Sequence, residues 1–135
     1  MSISYKKCSA CGEIKSIDNY TPHKGYVDNY KKQCKQCDSF RWSIRLKQHR
    51  KEALESIGDL KCQSCNIDDY RVLVIDHLYG GGNIERKALN SIVKFYKLVK
   101  EQPERYQILC HNCNYLKRID NNEHGNIKYL KISNG

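Results

Sequence analysis

Residues 106–114 read YQILCHNCN and contain the C-x-x-C pair of Cys110 and Cys113. Two residues between thiolates allow both sulfurs to bind one tetrahedral zinc ion from a tight turn. The chain carries three further pairs with the same spacing, namely Cys8/Cys11, Cys34/Cys37 and Cys62/Cys65. Four pairs predict two zinc ions, each closed by four thiolates. We expect both ions to be structural, because a closed site has no open position for water.

The thiols are expected to be reduced. The first residues, MSISYKKCSACG, lack the apolar segment of a secretory signal, and the longest apolar run, residues 72–75, is too short to cross a bilayer. We therefore expect a cytoplasmic protein without a membrane segment. Reducing conditions favour metal binding over disulfides for closely spaced cysteines.

Composition indicates a small protein with a thin core and an anionic partner. The 135 residues include only two Phe, one Met and one Trp, so metal ions would have to replace part of a hydrophobic core. Lys and Arg number 24 against 15 Asp and Glu, which gives a formal net charge of +9. Such an excess favours a polyanion, and we expect DNA.

The pairing of the cysteines follows from the segment between Cys37 and Cys62. Asp38 and Ser39 are typical helix-start residues, Gly58 is a typical stop, and apolar residues recur between them at helical spacing. A helix over residues 39–57 would separate the two halves. Sequential pairing, first pair with second and third with fourth, is therefore favoured over a cross-braced arrangement, which remains the alternative.

The pattern predicts a small α+β protein in four segments. The second half reads as a strand at 71–76, a glycine loop at 80–82, a helix at about 84–101, a strand at 106–109 and a last helix through about Asp120. The predicted organisation is a zinc-ribbon-like unit at 1–38, a basic linking helix at 39–58, a third segment at 59–124 and a tail at 125–135.

Three residues in the third segment are the candidate metal ligands and general base. Asp76 and His77 end a predicted strand, and Asn114 directly follows Cys113 and is the predicted first residue of the last helix. A zinc ion shared by the third and fourth cysteine pairs would bring them together. Carboxylate and amide oxygens suit Mg²⁺ or Mn²⁺ as ligands, and imidazole titrates near neutral pH and suits a general base. The combination predicts metal-dependent hydrolysis of phosphodiester bonds.

The segment C-x-x-C … VLVIDHLYGGGN … YQILCHNCN resembles the cysteine-bearing branch of the HNH endonucleases, the ββα-metal or His-Me finger nucleases common in phages and mobile elements. The resemblance covers roughly residues 60–118. It implies a DNA endonuclease, possessing a catalytic divalent cation beside structural zinc, in the host cytoplasm if the chain is phage-encoded. Within it Asp76 matches the cation ligand, His77 the general base and Asn114 the last letter of HNH.

The chain departs from the family pattern at one letter. The middle asparagine of HNH usually lies several residues before the second knuckle, where this chain has Arg105 and Tyr106. In the family this asparagine orients the general base. No residue of this chain is assigned to that role, and Asn83 is the one candidate. The glycines at 80–82 predict a loop, which either lets a phosphate approach the backbone closely or only connects two elements of secondary structure. The sequence favours neither interpretation. His111 would be solvated or would touch the scissile phosphate.

Basic residues cluster on the predicted helices. Such groups neutralise phosphates and give largely sequence-independent affinity, although a charged helix is often only a solvated face. The predicted DNA contacts are Arg41, Arg45, Arg50, Arg86, Lys87, Lys117 and Arg118. The main alternative function is a non-catalytic, zinc-dependent nucleic-acid-binding module. A third is a protein-interaction module with cross-braced zinc sites.

Overall fold

The computed structural model describes residues 2–123, so the predicted tail at 125–135 lies outside the described residues. Within this range the chain is α+β, with four α-helices and three two-stranded antiparallel sheets. It divides into two compact units: unit 1 ends at Gln48 and unit 2 begins at His49. None of the helices within residues 2–123 has the length and apolar character needed to cross a bilayer.

Unit 1 is built from two short hairpins and the first half of a helix. A small core of Cys8, Tyr20 and Cys34 lies at the centre, and the hydroxyl of Tyr20 donates a 2.6 Å hydrogen bond to the carbonyl of Lys6. Most of the buried volume is therefore sulfur and one aromatic ring. The strands are β1 (Tyr5–Lys7), β2 (Ile14–Ser16), β3 (Tyr20–Pro22) and β4 (Tyr30–Cys34).

The first helix, α1 (Lys35–Ile57), begins directly after β4, four residues before the predicted start at residue 39. This early start places Cys37 in the first helical turn, beside the sulfur of Cys34 at the strand end. The predicted end is confirmed: the helix stops at Ile57, and Gly58 donates its backbone N–H to the carbonyl of Leu54.

Unit 2 is built on one hairpin, β5 (Leu73–His77) and β6 (Tyr106–Cys110), which pair antiparallel from Leu73↔Cys110 to His77↔Tyr106. The last helix, α4 (His111–Asp120), follows β6 without a break and begins three residues before the predicted start at Asn114, because Cys110 caps it by accepting from the N–H of Cys113. Apolar side chains of the hairpin and of α1 form the core. Its fully buried members are Leu54, Cys62, Leu73 and Ile108, all with no exposed surface.

The prediction of one helix over 84–101 is wrong. The segment forms two helices, α2 (Gly82–Leu89) and α3 (Ile92–Glu101). Asn90 adopts a left-handed conformation at φ 48° and closes α2, and the Ser91 hydroxyl caps α3 by accepting from the N–H of Lys94. Asparagine and serine are typical residues for these two positions, so the Asn-Ser pair was a helix-break signal in the sequence.

The two units share a local pattern that the sequence shows only as spacing. In each, a strand pairs with a second strand that ends in cysteine, and a helix starts at once: Tyr20 pairs with Cys34 in unit 1, and Leu73 with Cys110 in unit 2. The helix then supplies the second cysteine of the pair in its first turn. The residue after that cysteine is Asp38 in unit 1 and Asn114 in unit 2.

Candidate metal centres and active site

The eight cysteines form two clusters, and their composition confirms sequential pairing. In each cluster the four sulfurs lie within 4.8 Å of one another. The cross-braced alternative is wrong. The clusters are Cys8, Cys11, Cys34 and Cys37 in unit 1, and Cys62, Cys65, Cys110 and Cys113 in unit 2.

The sulfur geometry fits a tetrahedral ion. The Sγ atoms of Cys65 and Cys110 are 3.7 Å apart. A zinc ion with Zn–S bonds of about 2.3 Å holds its sulfurs about 3.8 Å apart, whereas a disulfide needs about 2.05 Å. Backbone N–H groups also point at sulfur: Cys34 donates to Sγ of Cys8 at 3.3 Å, and Cys113 to Sγ of Cys110 at 3.4 Å. Each cluster could therefore hold one structural zinc ion.

Thiol ionisation within a cluster is uneven. The backbone N–H of Cys34 is the main group that lowers the pKa of Cys8 to about 6. A hydrogen bond shared with Cys34, with burial added, raises the pKa of Cys37 to about 12. Since sulfurs this close do not all ionise unaided, zinc must displace protons to bind four thiolates. Zinc affinity therefore falls as pH falls.

Asp76 lies near the end of β5 on the face that meets α4. Its Oδ2 accepts a 2.8 Å hydrogen bond from Nε2 of Gln107 and also contacts the ammonium of Lys117. That ammonium donates a second bond, 2.8 Å long, to the backbone carbonyl of His77. Oδ1 of Asp76 has no hydrogen-bond partner among residues 2–123. One carboxylate oxygen is therefore available to a ligand.

Asn114 presents a second available oxygen. Its Oδ1 is buried and has no hydrogen-bond partner in the described part of the chain, which is unusual for a buried polar atom. Asn114 lies three residues before Lys117 on α4, so both project from one helix face. Because Lys117 reaches Asp76, that face is the one turned to the end of β5. Two unpartnered oxygens, one carboxylate and one amide, thus border the β5–α4 junction.

The imidazole of His77 lies on the other face of the hairpin, since successive side chains of a strand alternate. Its ring stacks on Phe95 at 5.8 Å between centroids and meets Tyr106 edge-on at 4.9 Å. Nε2 contacts the carboxylate Oε2 of Glu85, from α2, and only 15% of the His77 side chain is exposed. Asp76 and Asn114 are therefore brought to one side of β5, and His77 to the opposite side.

Glu85 is held by three side chains. Besides His77, the hydroxyl of Tyr106 donates to it at 3.0 Å and the guanidinium of Arg105 at 2.7 Å. Burial raises the pKa of Glu85, but the bonds from His77 and Tyr106 outweigh it and the net pKa is lower than usual. Burial and the same carboxylate raise the pKa of Tyr106 to about 12. Glu85 is therefore ionised at neutral pH, and Tyr106 keeps its proton.

The tautomer of His77 follows from this arrangement. A carboxylate can only accept hydrogen bonds, so Nε2 of a neutral His77 carries the proton and Nδ1 carries the lone pair. The backbone of Gly82 packs beside Nδ1: a Cβ added at this glycine would lie 2.9 Å from Nδ1. Gly80 and Gly81 instead turn the chain, with φ of +74° and +82°. Only at position 82 does a missing side chain keep space at the imidazole.

The predicted DNA-contacting residues fall into two groups. The first is engaged within unit 2: Arg50 donates to the carbonyl of Leu73 and lies over the Tyr70 ring, Lys117 binds Asp76, and Arg118 approaches Glu123 at 3.9 Å. The second group is exposed and, among the described residues, forms no ion pair or hydrogen bond through its side chains. Its members are Arg41, Arg45, Arg86 and Lys87.

Glu85, Gln107 and the role of Lys117 were missed by sequence reasoning. No spacing rule brings α2 against β5, so Glu85 carried no signal. Two residues named in the sequence analysis, Arg105 and Tyr106, both bind Glu85, but their positions gave no indication of that partner. Asn83 is exposed and, within residues 2–123, makes no hydrogen bond to His77. His111 is exposed in the first turn of α4.

Comparison with known proteins found no matching family model, no matching curated protein and no matching solved structure.

Proposed function

We propose that unit 2 is a metal-dependent endonuclease of the HNH kind that hydrolyses DNA phosphodiester bonds. The observation that carries this proposal is the buried, unpartnered Oδ1 of Asn114 on the helix face that Lys117 ties to Asp76. An unsatisfied buried oxygen beside a carboxylate is a costly arrangement unless a cation or another ligand binds there. The resemblance of residues 60–118 to the cysteine-bearing HNH nucleases points to the same chemistry.

Asp76 and Asn114 would hold a magnesium or manganese ion, since both offer hard oxygen ligands. The bound ion would supply Lewis acidity at a phosphate oxygen and stabilise charge on the leaving 3′-oxygen. Lys117 would stay close to the same phosphate, because its ammonium already lies between Asp76 and the His77 carbonyl. Gln107 would hold the carboxylate in position through its 2.8 Å bond.

His77 would act as general base through Nδ1. Glu85 accepts the Nε2 proton, which leaves the Nδ1 lone pair free to take a proton from water. Glu85 would therefore perform the orienting role that the family pattern assigns to the missing asparagine. Phe95 and Tyr106 restrict the ring on its other sides. The water would lose its proton to His77 as its oxygen attacks phosphorus, the bond from phosphorus to the 3′-oxygen would break, and the leaving oxygen would take a proton from solvent.

Base and cation ligands would meet at the end of the strand. Because β5 ends at His77, a phosphate lying across that end is reached from both faces of the hairpin. Asp76 and Asn114 would approach it from the α4 side and His77 from the α2 side. The exposed cations Arg86 and Lys87 on α2 would bind flanking phosphates. The two zinc ions would remain structural.

A nicking assay tests the proposal. Supercoiled plasmid is incubated with the full chain and magnesium, and the nicked form is quantified against time. We expect cleavage that requires the divalent cation and falls about 10²–10⁴-fold in His77→Ala, the range for loss of a general base. His111→Ala is the matched control, because this exposed histidine should leave the rate unchanged. No cleavage by the parent chain with magnesium or manganese would overturn the proposal.

One set of contacts favours the non-catalytic alternative, a zinc-dependent nucleic-acid-binding module. Nε2 of His77 is occupied by Glu85, and Asp76 is occupied on one oxygen by Lys117. Paired groups of this kind also occur in purely structural networks. The same assay separates the two functions: a binder would retard plasmid without nicking it, and His77→Ala would not differ from the parent chain.

A further inference from the structure

A second site of interest lies in unit 1 and shares no residue with the site proposed for cleavage in unit 2. A surface depression of about 400 Å³ is lined by Lys31, Asp38, Arg41, Trp42 and Arg45. A neighbouring depression of about 290 Å³ shares Lys31, Asp38 and Arg41. Together they run along β4 and the first turns of α1. We propose that this surface, which we call the α1 groove, binds single-stranded DNA.

The charge of the α1 groove favours a polyanion. Four of its lining residues are cationic (Lys31, Lys32, Arg41 and Arg45) and one, Asp38, is anionic. Lys31 contacts Asp38 at 2.7 Å and neutralises it. Arg41 and Arg45 remain without an ionic or hydrogen-bonding partner among the residues that the structure describes. They are four residues apart and so lie on one face of α1, where both can contact successive phosphates of one strand.

The aromatic residues of the same surface favour unpaired bases. Trp42 lines the groove and is 50% exposed, and the adjacent Phe40 is 66% exposed. An indole beside two free guanidinium groups is the usual combination for binding single strands, since a base stacks on the ring while cations contact the backbone. In a duplex the base faces are covered by neighbouring pairs. The α1 groove therefore selects single strands by stacking and binds them by charge.

A buried acceptor gives a second, independent indication of a ligand. Gln33 lines the neighbouring depression, and its Oε1 is buried and has no hydrogen-bond donor within the described chain. Buried amide oxygens are normally satisfied. An N–H group of a base lying in the groove would satisfy it.

The parallel between the two units explains why this surface binds without cutting. Asp38 follows Cys37 as Asn114 follows Cys113, and Arg41 lies where unit 2 has Lys117. In unit 1, however, Lys31 occupies the carboxylate that takes the place of Asn114. Unit 1 therefore has the ion pair of Lys31 and Asp38 where unit 2 has the proposed cation site. Arg41 and Arg45 supply the affinity for phosphate. Apart from this comparison, which rests on the proposed cation site of unit 2, the inference shares with the proposed function only the class of partner.

Trp42 is the single tryptophan of the chain, so its fluorescence reports on the groove directly. The full chain, in buffer without magnesium and without chelator, is titrated with an oligothymidylate longer than a typical single-strand site of about 4–16 nucleotides. We expect saturable quenching that weakens with salt. The matching duplex should quench much less, and polyglutamate, a polyanion without bases, should not quench.

Two variants test the contacts. Arg41→Gln with Arg45→Gln should lower the slope of log affinity against log salt by about 1.4, because each phosphate contact on a single strand contributes about 0.7. Trp42→Ala, followed by anisotropy of a labelled oligonucleotide, should weaken binding about 5- to 150-fold, the effect of losing one stacked base. Lys61→Gln with Lys94→Gln removes the same charge from exposed positions in unit 2 and should leave the quenching unchanged.

The outcomes separate this site from the proposed nuclease. Quenching that persists in His77→Ala, or in a chain that cuts no DNA, supports the α1 groove and leaves it independent of cleavage. An unchanged salt slope in the double arginine variant overturns the inference. So does equal quenching by duplex or by polyglutamate, since a base-stacking site cannot produce either result.

Discussion

Nε2 of His77 donates to the carboxylate of Glu85, and this contact joins the end of β5 to the first turn of α2. Both side chains are nearly buried, with 15% of His77 and 13% of Glu85 exposed. In the neutral imidazole this contact leaves the lone pair on Nδ1, and it supplies His77 with a partner that orients the ring.

Gly82→Ala tests whether Nδ1 is the working nitrogen. The new methyl group would lie 2.9 Å from Nδ1 and displace the ring or block water from it. We expect nicking to fall about 10²-fold, the loss typical of a misplacement of about 1 Å at a catalytic group. The rate is measured on supercoiled plasmid with magnesium.

Gly58→Ala is the control for Gly82→Ala, because a Cβ at Gly58 meets no atom within 4 Å. It should nick at the parental rate. Since Gly82 begins α2 without a positive φ, alanine there should not strain the backbone, and circular dichroism should be unchanged. Full activity in Gly82→Ala would show that Nδ1 is not the base.

Asn114→Ala removes the unpartnered buried oxygen. We expect the magnesium concentration for half-maximal nicking to rise about 10-fold or more, since even partners that only support a metal ligand change affinity 10- to 100-fold. Asn114→Asp restores an oxygen ligand and adds charge, so it should need less magnesium than Asn114→Ala. Equal magnesium dependence in the parent and both variants would remove Asn114 from the cation site.

The ionisation of Glu85 should make the free energy of unfolding of unit 2 depend on pH in the acid range. Its pKa is lower in the folded chain than the usual 4.5, so its stabilisation is complete above pH 4.5 and is lost as pH falls through the lowered value. The urea midpoint of the parent should therefore exceed that of Glu85→Gln at neutral pH, and the difference should shrink in acid. A difference independent of pH would show that the charge of Glu85 contributes nothing.

The two zinc sites should be separable by mutation. Cys34→Ser should lose one of two zinc ions per chain, measured by metal analysis of the purified protein, and keep the magnesium-dependent nicking assigned to unit 2. Cys110→Ser should also retain one zinc ion but lose nicking, because Asn114 follows the cysteines of that cluster. Loss of both ions in either variant would contradict two independent clusters.

Much of the framework was predictable from local signals. The cysteine spacing predicted two four-cysteine sites, and the helix signals between Cys37 and Cys62 predicted their sequential pairing. The apolar run before Asp76 predicted β5. The helix-stop residue Gly58 was also correct. The break at Asn90 and Ser91 was missed because continuous apolar spacing outweighed two residues that favour a helix end and a helix start.

The sequence by itself determined what is encoded within a few residues: the thiolate pairs, the strand that leads into Asp76 and His77, and the presence of a last helix, although that helix begins at His111 and not at Asn114. Only the tertiary structure decided which groups face one another. Alternation along β5 sends Asp76 to α4 and His77 to Glu85, and the first turns of α1 leave Trp42 exposed beside two free arginines. Contacts between elements distant in sequence depend on how those elements pack, and no local pattern of residues specifies that.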